Sequence, residues 1–441
     1  MIGAQRMLSR EDNELLTKVG PGTPMGELFR RFWLPALVSS ELEADGAPVR
    51  TRLLGEDLVA FRDSTGRAGI LGARCPHRLA PLFLGRNEEC GLRCIYHGWK
   101  FDVDGACVDM PNEPPSRQFK DRIHQLSYPT AEAGGVVWIY MGPPAERPAS
   151  VPQFEWVKAP EGHTYVARWL QASNWCQGME GEVDTSHISF LHSQEEDYNP
   201  DALVAQNPSL LVDAALDGAP KLTLLEKPYG FTYGARRTLS DQYYWRVTRW
   251  LFPFYSLIPG PADGVAGRAW VPIDDHHTWT FHYQCRADRP FTTEEVARIE
   301  EGGIFPPRTE YGSYRLPDGY RVDGRIPTAN DGNDYLIDRE MQKNVNFTGI
   351  WGINEQDRSV QEGMGPIVDR SQEHLGTADI AAIAARRLLL NLAKRLAAGE
   401  SPSVPHQPEL YHLRAIETLS QSDGLAELLN QYEATLGAAV M

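Results

Sequence analysis

The chain has 441 residues, 42% of them hydrophobic and 23% charged, which is ordinary for a folded protein and long enough for two packed domains. A formal net charge of −16 argues against nucleic acid or an anionic membrane surface as partner. No run approaches the roughly 20 apolar residues of a membrane-spanning helix.

The first residues, Met1 to Arg6, lack the apolar stretch of a signal peptide. Six cysteines in a chain this long do not make a disulfide framework. Cys90, Cys107, Cys176 and Cys285 are expected to be reduced thiols, and the protein to be cytoplasmic.

Residues 7–33 are predicted helical, in two pieces divided by Gly20-Pro21-Gly22-Thr23-Pro24. Residues 1–34 are assigned to a helical segment packing on the larger domain. From 35 to 145 short strands and turns dominate: Val49-Arg50-Thr51-Arg52-Leu53-Leu54 alternates, Leu58–Arg62 follows, and Val136–Met141 closes the unit. The Pro-rich stretch 142–148 is the linker to a second domain, 146–441. In that domain strands are expected at 231–235, 243–250 and 279–284. Residues 301–346 lack periodicity and are expected to form a mobile or substrate-covering loop. A helix is predicted from Thr377 to about Ala398.

Chemistry concentrates in two places. Cys75-Pro76-His77 and Cys94-Ile95-Tyr96-His97 offer two thiolates and two imidazoles from two loops, a donor set that suits a Rieske [2Fe–2S] cluster. A structural zinc site uses the same ligand types, but such sites usually need two or more residues between paired ligands, and here only Pro76 separates the first pair. The second place is Asp184-x-x-His187-x4-His192, which follows the acidic residues Glu180 and Glu182. Two neutral imidazoles and a carboxylate suit Fe(II) and leave coordination positions open. On a helical turn Asp184 and His187 share a face, so Asp184 is expected to bond the other ring nitrogen of His187. Two histidines five apart are weak evidence alone, since one core and one surface histidine would give the same pattern.

Together these motifs resemble the α subunit of the Rieske non-haem iron aromatic oxygenases, within their phthalate dioxygenase-like branch. Gly22–Leu28, Cys90–Asp102, Phe347–Ile350 and Met364–Ile367 carry the likeness along most of the chain. The resemblance implies an α+β fold: a small antiparallel β Rieske domain (35–145) and a helix-grip catalytic domain (146–441) with a curved antiparallel sheet and C-terminal helices. It implies a homotrimer or a trimer-based hexamer in which one subunit's cluster serves its neighbour's Fe(II), with electrons crossing through His97, Asp184 and His187.

It also implies a late aspartate as third iron ligand. Asp357 has the expected placement, with Glu362 and Asp369 as competitors. No dinucleotide fingerprint is visible, so a separate NAD(P)H-dependent reductase, alone or with a ferredoxin, is the expected electron source. The reaction expected is O2-dependent hydroxylation or O-demethylation of an aromatic acid, or ring cis-dihydroxylation of a phthalate. A Rieske electron carrier is the alternative of a different class, although the second metal constellation and the chain's length oppose it.

Arg246 matches a carboxylate-binding position of that branch; on chemistry alone it could equally be a strand arginine paired with Asp241. Residues 193–220 contain no Arg or Lys, so a second cation expected of a phthalate enzyme is missing. That favours an acid with one carboxylate.

Overall fold

The computed structural model describes residues 7–193, 218–239, 241–259, 264–303 and 306–439. Two short helices open it. Ser9 caps Arg10–Thr17 by accepting from the Asp12 amide, and Thr23 caps Pro24–Phe29, with Pro24 in the first turn where a missing N–H costs nothing. Leu16, Met25, Leu28 and Phe29 are buried, and both helices lie against the long helix Ile380–Ala397.

Three small antiparallel sheets follow. One joins Trp33–Val38 to Val136–Tyr140 and Thr130–Ala133. A second orders Val49–Leu53, Glu56–Arg62, Ala68–Gly72 and Ser127–Tyr128; the third orders Arg86–Glu88, Gly91–Arg93, Lys100–Phe101 and Cys107–Asp109. The expected strand at the start of this unit is therefore preceded by another, Trp33–Val38, where helix was predicted to end.

The larger domain is built on a ten-stranded sheet. Its order is Lys221–Lys227, Gly230–Thr238, Tyr243–Leu251, Tyr255–Ile258, Gly264–Pro272, Thr278–Arg286, Thr164–Gln171, Arg321–Pro327 and Thr309–Arg315, with Ile416–Ser420 also pairing Tyr243–Leu251. The sheet is mixed rather than wholly antiparallel, because Thr164–Gln171 meets Arg321–Pro327 in parallel at Trp169 and Arg325.

Two helices lie on its inner face, Trp175–Val183 and Ile353–Gly363. The first can approach because Gly178 has no side chain: a Cβ there would sit 2.3 Å from the Trp270 indole nitrogen. Gln361 ties its helix to the sheet by accepting from Gln171 at 2.8 Å through its side chain, and to the first helix by accepting from Gln177 at 2.7 Å through its carbonyl.

Two expectations are corrected here. Residues 309–327 form an ordered hairpin on the sheet edge, followed by Asp331–Leu336 and the helix Arg339–Asn344, in place of a loop over 301–346. Side chains there pair across the domains, Arg50 with Asp323 and Arg52 with Asp318, so polar composition reflects an interdomain seam. The expected C-terminal helices are Ile380–Ala397 and Leu425–Ala439, but the strand Ile416–Ser420, which no pattern in the sequence predicts, stands between them and joins the large sheet.

Candidate metal centres and substrate face

Cys75 and Cys94 stand in two loops of similar build. The Cys75 amide donates to Ala80 O and its carbonyl accepts from Leu79 N, each at 2.9 Å; Cys94 N donates to Trp99 O at 2.8 Å and its carbonyl accepts from Gly98 N at 3.0 Å. Gly98 has φ +79°, and a Cβ there would reach Pro111 at 2.6 Å, so glycine is required for the turn. Gln125 holds the first loop by donating to Gly72 O and Arg74 O. Both thiols are buried, at 1% and 2% exposure, while the rings of His77 and His97 face outward, 4.5 Å apart. His77 stacks on Trp99 at 4.3 Å, and the Trp99 indole donates to Asn112. Burial and the neighbouring Cys94 push the Cys75 thiol up to about 12. A cation that replaces the thiol protons removes that penalty, so two buried sulfurs with two half-buried imidazoles fit a Rieske cluster.

The second centre assembles residues from opposite ends of the larger domain. His187, His192 and Asp357 each offer a ligand atom, all within 4.8 Å of one another, and no other such group occurs among the described residues. The Asp357 carboxylate lies 3.2 Å from His192 Nε2 and 3.5 Å from His187 Nε2. Both rings thus present Nε2 inward, and both are held from behind at Nδ1. His192 Nδ1 donates to Gln356 Oε1 at 2.7 Å; the amide orientation is fixed because Gln356 Nε2 donates to Ile350 O at 2.9 Å. His187 Nδ1 faces Asp184 Oδ2 at 3.5 Å. Burial alone would lower the His187 pKa, but Asp184 and Asp357 outweigh it and raise it. With Nδ1 protonated, each Nε2 keeps its lone pair for a metal, and one carboxylate completes a facial set suited to Fe(II).

Asp184 and His187 do not share one helix. The helix ends at Val183, Asp184 is extended at its C-cap, and the next turn starts at His187. Ser186 holds the Asp184 carboxylate through its amide and hydroxyl, at 2.7 and 2.6 Å. The other two acids of the run offer no ligand atom. Glu180 turns to Arg370 and Arg386, and Glu182 to Arg268. The competitors of Asp357 are occupied elsewhere: Glu362 pairs with Arg358 and accepts from Tyr335, and Asp369 caps the turn at Ser371. Gln356 was missed by sequence reasoning; its only signal was adjacency to Asp357.

Arg246 lies on the strand Tyr243–Leu251 with Tyr244 and Trp250 on the same face, as a period of two predicts. Its Nε is buried without a hydrogen-bond partner, and Glu417 stands opposite it in the strand register. The Arg246 charge acts on Glu182, as do those of Asp357 and His187. Most of the cation-free stretch 193–220 lies outside the described residues.

Residues 32–126 match the Rieske [2Fe-2S] domain, and residues 139–418 match the LigXa C-terminal domain like family. The chain is 41% identical to the 3-chlorobenzoate-3,4-dioxygenase oxygenase subunit of Comamonas testosteroni, over 87% of this chain and 88% of that protein. It is 39% identical to the phthalate 4,5-dioxygenase oxygenase subunit of Pseudomonas putida, over 90% and 88%. It is 30% identical to the 5,5'-dehydrodivanillate O-demethylase oxygenase subunit of a Sphingobium, over 98% and 92%. Among solved structures, dicamba monooxygenase bound to 3,6-dichlorosalicylic acid shares the fold, with a TM-score of 0.57 over 84% of this chain and 98% of the other at 18% identity.

Proposed function

We propose that this chain, which belongs to the oxygenase subunits of the Rieske non-haem iron oxygenases, oxidises an aromatic acid whose carboxylate is held by Arg246. It is an oxidoreductase whose family uses a Rieske [2Fe–2S] cluster and a mononuclear iron, together with O2 and a separate reductase. Cys75, His77, Cys94 and His97 hold the cluster, and His187, His192 and Asp357 hold the iron. Bound there, Fe(II) supplies the activation of O2 that the organic side chains cannot.

The protein's own residues orient and select. Gln356 and Asp184 fix both histidine rings with Nε2 inward. The Asp184 side chain stays 31% exposed, so His97 of an adjacent copy in a homotrimer or trimer-based hexamer can bond it. Tyr233, Tyr244 and Trp250 give the substrate face aromatic walls, buried at 1%, 2% and 0% exposure. The electron donor is an NAD(P)H-dependent reductase, alone or with a ferredoxin, and the setting is cytoplasmic; no helix among the described residues is long and apolar enough to cross a membrane.

The observation that carries the substrate class is Arg246: a buried guanidinium nitrogen with no partner is costly unless an anion arrives to meet it. The relatives, by their names, act on 3-chlorobenzoate and phthalate, both aromatic carboxylates. The lack of any Arg or Lys across 193–220 favours the chlorobenzoate pattern over a phthalate ring cis-dihydroxylase. Hydroxylation and oxidative O-demethylation are the outcomes this site serves. The test is Arg246→Met assayed on an aromatic acid and on its amide. A loss of about 100-fold or more on the acid alone is expected; equal loss on both, or none on either, removes Arg246 from the substrate site.

A further inference from the structure

The inner face of the sheet carries more positive charge than one carboxylate needs. Antiparallel partners point to the same side, so the register Trp250–Ser256–Arg268–His282 runs as one row across that face. Arg246 lies two rungs along from Trp250 on the same side, and Arg237, opposite Tyr244, shares it as well. Arg237 is fully buried and donates to Thr185 O at 3.2 Å. Arg268 is 4% exposed, and its Nη1 meets Glu182 Oε2 at 2.5 Å. Glu182 also receives the Ser256 hydroxyl at 3.4 Å. Burial opposes both charges, pushing the Glu182 carboxyl up and the Arg268 guanidinium down, so each depends on the other, and the charges of Asp357 and Arg246 act on both.

We propose that Glu182 sets the charge of the substrate pocket: by neutralising Arg268 it removes one cation from the face that carries Arg246, so the pocket takes the first carboxylate at Arg246 and disfavours a second one at Arg268. This rests on the aromatic-acid reading of the site. Glu182 comes from the end of the helix Trp175–Val183, which Gly178 lets down onto Trp270, the residue two places beyond Arg268 on the same strand face. Without that close approach the carboxylate would not reach the guanidinium. A buried arginine deprived of its acid is left with an uncompensated charge, and a second substrate carboxylate is the ligand that restores the balance.

The test is anaerobic calorimetric titration of the holoenzyme with benzoate, phthalate and benzamide. The proteins compared are wild type, Glu182→Gln and the double variant Glu182→Met/Arg268→Met. Wild type is expected to prefer benzoate to phthalate. Glu182→Gln should gain at least about tenfold in phthalate affinity while benzoate shifts by less than about threefold. The double variant, which removes both charges, should keep the wild-type preference. An unchanged phthalate-to-benzoate ratio in Glu182→Gln, or the same phthalate gain in the double variant, overturns the proposal. If Glu182→Gln does not fold, Glu182→Met, which keeps Arg268 without its acid, takes its place: a phthalate gain of at least about tenfold supports the role and an unchanged phthalate-to-benzoate ratio overturns it. A wild type that prefers neither acid to benzamide overturns the aromatic-acid reading along with this one; a benzoate preference with an unresponsive Glu182→Gln overturns only this one.

Discussion

The two metal-binding regions are built on opposite plans. The proposed cluster ligands come from two short loops close in sequence, each closed by its own backbone hydrogen bonds, so the chain needs little beyond local turns to bring Cys75, His77, Cys94 and His97 together. The second centre draws His187 and His192 from one side of the domain and Asp357 from a helix far along the chain, and it exists only because two helices dock on the same sheet face. The first is a local motif; the second is a product of tertiary packing. Damage to one should therefore spare the other.

The largest expected effects follow from that separation. His77→Ala should abolish the Rieske absorption and turnover while leaving one mononuclear metal per chain, and Asp357→Ala should abolish turnover and mononuclear iron while leaving the cluster spectrum whole. Metal analysis with visible spectroscopy on both variants checks this. Loss of both metals in either one would mean that the two halves fold as a single unit.

The same contrast explains what the sequence disclosed. The Rieske loops were legible because ligand type, spacing and turn glycines all lie within one segment, Cys75 to Gly98. The histidine pair was legible only as a candidate, and its aspartate only through a family resemblance, since no local pattern distinguishes Asp357 from Glu362 or Asp369 until helix packing turns one of them inward. The acidic run misled. Glu180 and Glu182 looked like a metal pocket, yet each is the counter-charge of a buried arginine drawn from elsewhere in the chain. The ordered hairpin Thr309–Arg315/Arg321–Pro327 was missed for a similar reason: its polar residues pair across a domain seam that sequence periodicity does not reveal.

Glu180 gives the next effect, confined to the packed half. Burial opposes its ionised form, but Arg370 and Arg386 outweigh burial and hold the carboxyl at about 2, against 4.5 for an ordinary glutamate. The stabilisation is complete above about pH 4.5 and is lost as pH falls toward 2, amounting to about 3 kcal/mol at most. Acid unfolding followed by near-ultraviolet dichroism should therefore show a steep transition in that window, flattened in Glu180→Gln. An identical acid profile in the variant would show that this ion cluster does not anchor the helix.

Asp184→Asn should act more narrowly. The amide can still face His187, so mononuclear iron should remain, while turnover falls by about 10–100-fold. Loss of iron in this variant would instead make Asp184 a ligand, and full activity would remove it from the path between copies.

The smallest expected effect tests the neutral counterpart of Asp184. Gln356 holds His192 as Asp184 holds His187, but with an uncharged acceptor, so less is lost when it goes. Its Oε1 must accept, because its own amide hydrogens are committed to Ile350 O, and this fixes the proton of His192 on Nδ1. In Gln356→Leu the buried Nδ1–H loses its acceptor and the ring can turn or exchange tautomers, so Fe(II) affinity should fall by about tenfold. Gln356→Glu restores an acceptor and should recover most of that affinity, whereas a purely structural role would be served no better by glutamate than by leucine. Competition titration with a metal indicator reads the difference directly, independently of turnover. Equal iron affinity in wild type and Gln356→Leu would show that His192 is oriented by packing alone.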